Sequence, residues 1–270
     1  MLYTFLLVTA YFGAVSHANV IPRQASYTTD PTLPNQTIYL PTTIPSTLKL
    51  PVIVYGVGGC SDSGTNTAFF HNELASHGFM VIVNNGPTSR AQTNASSLTA
   101  AADFVFKVAG TGKYANVDKT RMAVSGWSCG GLQAYTAGVD ARFSTIGIFS
   151  SGQFAAADSE KVASKVTKPI FYFLGGSSDI AYTNGERDYT FLPKTTPAWK
   201  GNDNTGHAHT GTSGTFTAPS ILKAAVKWAQ WTLRGDASAA TFFTSNAEAT
   251  AAGWSGIASQ SLDKLSVAPI

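Results

Sequence analysis

The sequence predicts an α/β fold with a mostly parallel central sheet and helices on both faces. Three observations predict it. Apolar runs of strand length, such as residues 50–55 and 169–174, show no polar alternation, as expected of strands buried on both faces. Segments with helical spacing separate these runs, so successive strands need crossover connections and lie parallel. No repeat, linker or second domain interrupts the 270 residues, a length at which one covered sheet stays undivided.

The elements follow in order. Residues 19–45 are rich in Pro, Thr and Ser, with a short strand-like stretch at 37–40. Residues 50–55 form the first central strand and run into a Gly-rich turn, Gly56-Val57-Gly58-Gly59-Cys60. A helical pattern over 67–77 precedes a strand at 79–83, and another over 97–108 precedes a strand at 121–125. That strand enters Gly126 and a helix extending through Ala134. Strands at 145–149 and 169–174 follow, with a weaker one at 196–201. Asp158 and Glu160 mark an exposed helix start, and Glu186, Arg187 and Asp188 a solvated helix face. The last helix, 218–233, places Ile221, Ala225, Trp228 and Trp231 at helical spacing. The expected division is a signal peptide over 1–18, an N-terminal segment over 19–45 and one domain over 46–270.

Composition narrows the function classes. Only 12% of residues are charged and the net charge is +3, with no basic run, so nucleic acid is not an expected partner. Residues 2–15 are apolar, with Phe5, Leu6, Leu7, Val8 and Phe12, and Ser16-His17-Ala18 presents small residues for cleavage after Ala18. No later run is long enough to span a bilayer. Export from the cell is therefore expected, and with it glycosylation at the Asn35-Gln36-Thr37 and Asn94-Ala95-Ser96 triplets. The two cysteines, Cys60 and Cys129, allow one intramolecular disulfide in an oxidising compartment.

The chemistry centres on Gly126-Trp127-Ser128-Cys129-Gly130-Gly131, a G-x-S-x-G sequence between a strand and a helix. That setting is the nucleophile elbow of the α/β-hydrolase fold, with Ser128 at its apex. A serine hydroxyl needs a base, and the base needs an orienting carboxylate; on this fold they follow in the order Ser, acid, His. Two histidines lie beyond Ser128 before the last helix, His207 and His209. Asp179 follows the strand ending at Leu174 and is the chosen acid, ahead of Asp158, Glu160, Asp188 and Asp203, the last being a turn residue. One oxyanion donor should be the amide of Cys129, and the other should come from the Gly-rich loop after the first central strand. That loop lacks the Lys-Ser/Thr end of a phosphate cradle. His207-Ala208-His209 has no third ligand nearby, so neither a metal nor any other cofactor is expected.

With these residues in place, the chain resembles the secreted α/β-hydrolases that include bacterial cutinases, polyester (PET) hydrolases and their fungal relatives. Leu74-Ala75-Ser76-His77-Gly78-Phe79, Val117-Asp118-Lys119-Thr120-Arg121-Met122, the elbow, Asp179-Ile180-Ala181 and Gly206-His207 carry the resemblance over about residues 48–236. It implies Ser128 as nucleophile, Asp179 as acid, His207 as base, and Cys60 and Cys129 as backbone oxyanion donors. It further implies Trp127, and Phe154 in place of the family's second aromatic, against the substrate. Cys129 and Cys60 stand where the family usually carries a methionine and an aromatic. The expected protein is a monomeric serine esterase acting on a small or polymeric extracellular ester. Acetyl or feruloyl esterase activity on plant polysaccharide, and a catalytically silent binding protein, are the alternatives. Phe69, Phe70 and Trp199 could line the cleft or simply pack the core.

Overall fold

The computed structural model of the chain describes residues 23–208 and 219–270. The expected signal peptide over 1–18, and His209, lie outside the described residues.

Among the described residues nine strands form one sheet: β1 (Ala25–Asp30), β2 (Leu33–Pro41), β3 (Leu50–Gly56), β4 (Met80–Val83), β5 (Val117–Trp127), β6 (Phe143–Phe149), β7 (Ile170–Leu174), β8 (Ala198–Asn202) and β9 (Ser255–Gln260). Their spatial order is β1-β2-β4-β3-β5-β6-β7-β8-β9. The six strands from β4 to β8 in that order pair in parallel, while β1, β2 and β9 join antiparallel at the two edges. Eight α-helices among the described residues cover the faces: α1 (Ala68–Ser76), α2 (Ala95–Val108), α3 (Cys129–Ala137), α4 (Ala156–Val162), α5 (Tyr182–Phe191), α6 (Pro219–Arg234), α7 (Ala237–Thr244) and α8 (Ala247–Ala251). This is the mostly parallel sheet that the apolar runs predict.

The two faces of the sheet have separate cores, divided by the two-residue period of a strand. On β3, Ile53 and Tyr55 pack with α1, α6 and α7 through Phe70, Leu74, Trp228 and Phe243. Val52 and Val54 point the other way, onto Leu98, Ala101 and Val105 of α2 and Ala134 and Tyr135 of α3. Phe70 and Trp199 are both fully buried in the first of these cores, which settles their role as packing.

Residues 25–41, read from the sequence as a segment ahead of the domain, supply two strands to the same sheet. Thr37, Ile38 and Tyr39 pair with Val83, Ile82 and Val81 of β4. Only this part of β2 is buried on both faces; β1 lies at the edge and is half polar, so no apolar pattern announces it. The edge strand β9 is likewise polar and partly exposed. Helix α2 starts two residues before the expected Ser97 because the Asn94 side chain caps it, accepting from the Ser96 and Ser97 amides at 3.0 and 3.3 Å.

Candidate active site

Ser128 stands between the end of β5 and the start of α3, with φ +54° and ψ −122°. A residue with a Cβ rarely adopts such a conformation, and it persists only where its surroundings hold it. Here the Ser128 amide donates to the Phe149 carbonyl at 3.0 Å, and the Ser151 hydroxyl donates to the Ser128 carbonyl at 2.6 Å. The flanking glycines are required by close approach. A Cβ on Gly126 would fall within the Gly130 backbone, and one on Gly130 within the Gly56 carbonyl at the end of β3. The helix can therefore begin against the sheet only with glycine at both positions.

The parallel strands bring three distant side chains to one end of the sheet, beyond their carboxyl ends. His207 Nε2 lies 2.9 Å from Ser128 Oγ, and His207 Nδ1 lies 2.6 Å from Asp179 Oδ1. Asp179 follows β7, and its side chain has no exposure to solvent. Its Oδ1 also accepts from the Ala181 amide at 2.8 Å, and its Oδ2 from the Gly175 amide at 3.0 Å. Burial alone would raise the Asp179 pKa; hydrogen bonds from His207, Ser150, Ala181 and Gly175 outweigh it and lower the pKa to about 2. His207 is held by its backbone: Gly206, at φ +86°, donates to the Gly175 carbonyl at 2.8 Å, and the His207 carbonyl accepts from Trp127 Nε1 at 2.7 Å. Asp203 stays out of this chain; its carboxylate closes a turn onto the Thr205 amide and hydroxyl.

Cys60 and Cys129 form a disulfide, with Cα atoms 5.3 Å apart. It closes a 69-residue separation, which in the chain-entropy picture stabilises the fold by about 4 kcal/mol. It also ties the Gly-rich loop to the N-terminus of α3, next to Ser128. The Cys129 amide is one of the unpaired N–H groups at a helix start, where the helix dipole favours negative charge.

A cleft of about 120 Å³ opens at Ser128 and His207, with Leu132, Phe154, Ile180 and Asn184 among its walls. Phe154 and Ile180 are 77% and 83% exposed, which makes its rim apolar. Trp127 is buried and is not among the cleft's walls. Its ring stands behind His207, with centroids 5.4 Å apart, and against Gly58, where a Cβ would overlap the indole.

The wall bearing Phe154 is anchored by Asp188, and here the sequence reading needs correction. Asp188 is fully buried rather than on a solvated face. Its Oδ2 accepts from Tyr135 Oη and from the Gln153 amide, both at 2.8 Å. Burial pushes its carboxyl above the ordinary range, only partly offset by bonds from Ser159, Gln153 and Tyr135 and by the Arg187 charge. Removing the acceptor leaves two buried donors unpaired, so Asp188→Ala is expected to destabilise the protein by about 2–4 kcal/mol. Asp188→Asn keeps an acceptor without the buried charge and should cost under about 1 kcal/mol. Urea unfolding of the two variants checks this, and equal losses would contradict it. The available sequence signal was Gly185, which shares the inward face of α5 with Asp188 at i, i+3 spacing.

The family model described as PETase, PET hydrolase-like, matches residues 23–260 of the chain. No curated protein matches it significantly.

Proposed function

The chain belongs to the PET hydrolase-like family, whose members hydrolyse esters, and on that premise we propose that it is a secreted serine esterase acting through Ser128, His207 and Asp179. One observation carries this reading: Ser128, strained at an elbow, is joined to His207 and through it to buried Asp179 by contacts of 2.9 and 2.6 Å. His207 Nε2 takes the Ser128 proton as Oγ attacks the ester carbonyl carbon. The carbonyl oxygen becomes an oxyanion and is received by the Cys60 and Cys129 amides, which stand on the two segments that the disulfide ties together beside Ser128. Collapse expels the alcohol, which leaves with the proton from His207, and Ser128 keeps the acyl group. Water then attacks in the same geometry, giving up a proton to His207, and the free acid departs as Ser128 is reprotonated.

The apolar rim supports an acyl or aryl group lying across Phe154 and Ile180, with only the ester sunk into the cleft. Trp127 then serves the site by supporting His207 from behind. Export rests on the apolar run over 2–15, on the disulfide, and on Asn35 and Asn94, both exposed as glycan acceptors. Among the described residues no helix is long and apolar enough to cross a membrane.

The test is hydrolysis of p-nitrophenyl esters from acetate to palmitate, together with an aromatic polyester film. Butyrate to octanoate should outpace acetate, and Phe154→Ala should raise KM more as the acyl chain lengthens. Activity confined to acetate would favour a polysaccharide deacetylase, and no hydrolysis of any ester would reject the reading.

A further inference from the structure

Cys60 follows Gly59, and both are left-handed, at φ +51° and +57°. A non-glycine residue in that conformation must be held from outside, and the disulfide alone leaves rotation about its own bonds. The remaining restraint comes from a chain of buried amides. The Val57 amide donates to Asn84 Oδ1 at 3.1 Å, which fixes the orientation of the Asn84 side chain. Asn84 Nδ2 therefore faces Gln133 and donates to its Oε1 at 2.7 Å. Gln133 Nε2 is then directed at the Thr93 carbonyl, 3.0 Å away, and at Cys60 Sγ, 2.7 Å away. Thr93 completes the circuit, donating to the Cys60 carbonyl from its amide at 2.7 Å and from its hydroxyl at 3.1 Å. Asn84, Thr93 and Gln133 are 2%, 8% and 7% exposed, so water does not compete for these bonds.

From this circuit we propose that Gln133 is a positioning residue for the oxyanion pocket. It sits on α3, one turn beyond Cys129, and locks the Cys60 turn to the helix whose first amide is the other donor. Gln133 touches neither substrate nor the reacting atoms; it acts by holding the Cys60 amide at a fixed place relative to the Cys129 amide. The proposal rests on the reading of Ser128 as nucleophile and of these two amides as oxyanion donors.

Removing an oxyanion donor outright costs about 10²- to 10³-fold in kcat, so a displaced donor should cost part of that. In the full chain with its disulfide intact, Gln133→Met keeps the length and loses the bonds to Asn84, Thr93 and Cys60. We expect kcat for p-nitrophenyl butyrate to fall about 10- to 100-fold with KM within about twofold. Inhibition by an alkyl boronic acid, which forms a tetrahedral adduct on the serine, should weaken in step with kcat/KM. A purely structural role would lower Tm and leave these ratios alone. Should Gln133→Met fail to fold, Asn84→Asp opens the same circuit from its other end. It retains the acceptor for Val57 and presents an oxygen to Gln133 Oε1, so it should show the same loss in kcat. An unchanged kcat in the folded variant, or a rise in KM with boronate affinity intact, overturns the proposal. The underlying reading fails separately: it falls if Ser128→Ala retains activity, whatever Gln133→Met does.

Discussion

Ser128→Ala is expected to lower kcat for p-nitrophenyl butyrate by roughly 10⁵- to 10⁶-fold, because removing the nucleophile disables the whole catalytic unit. Binding should persist, since the apolar rim of Phe154 and Ile180 is untouched. The fold should persist as well. The Ser128 backbone keeps its bonds to Phe149 and Ser151, and only Oγ is lost, so Tm should move by no more than about 2 °C. Replacement by glycine separates activity from strain. It is equally inactive, yet relieves a conformation costing about 1–3 kcal/mol and should raise Tm by a few degrees. Intact-mass measurement after fluorophosphonate treatment should show one adduct on the wild type and none on either variant. Residual turnover above one per cent in Ser128→Ala would remove Ser128 from the mechanism.

Asp179→Asn should have the next largest effect, a fall in kcat of about 10⁴-fold. Asp179 is an acceptor for the His207 ring, the amides of Gly175 and Ala181, and Ser150. An amide supplies one oxygen where the carboxylate has two. If its NH₂ takes the place of Oδ1, it faces His207 Nδ1 and forces that nitrogen to accept. Nε2 then carries the proton and cannot take one from Ser128. If the NH₂ takes the place of Oδ2, it confronts the Gly175 amide instead. Either orientation forfeits a backbone bond, so stability at neutral pH should also fall, by about 1–3 kcal/mol.

The same residue predicts an acid dependence of stability. The Asp179 pKa is lowered from 3.8 to about 2 in the folded state. A depressed folded pKa contributes stability that is fully present above the unfolded value and is lost as pH falls through the folded one. The contribution is on the order of 2 kcal/mol, present above about pH 4 and lost between about pH 4 and pH 2. Urea midpoints measured across that window should fall more steeply for the wild type than for Asp179→Asn. Parallel curves would show that Asp179 carries no such linkage.

The sequence by itself determined the parts of this protein whose signal is local. Strands β3, β4 and β7 and the later parts of β5 and β6 are buried on both faces, so each carries a run with little polar alternation and could be read as a strand. The elbow was legible because the approach of α3 to β3 and β5 admits no side chain at Gly126 or Gly130, and that steric demand is written as a spacing. The choice of Asp179 rested on its place just beyond a strand, and the choice of His207 on the resemblance of Gly206-His207 to the family's motif.

What only the tertiary structure decided are the contacts that pair distant polar residues. The edge strands β1 and β9 carry no apolar pattern, because an edge half open to water does not demand one. Asp188 resembled a solvated charge because its partners, Tyr135 and Gln153, lie 53 and 35 residues away. The Trp127 indole, which the resemblance sets against the substrate, is bonded to a carbonyl 80 residues distant, a contact no local pattern announces. Gln133 lies in a helix the sequence predicts, and only the structure shows its bonds to Cys60, Thr93 and Asn84. Burial of an apolar side chain leaves a period in its own neighbourhood of the chain. A buried polar group needs only a partner within 3 Å, and the fold can supply that partner from anywhere in the sequence.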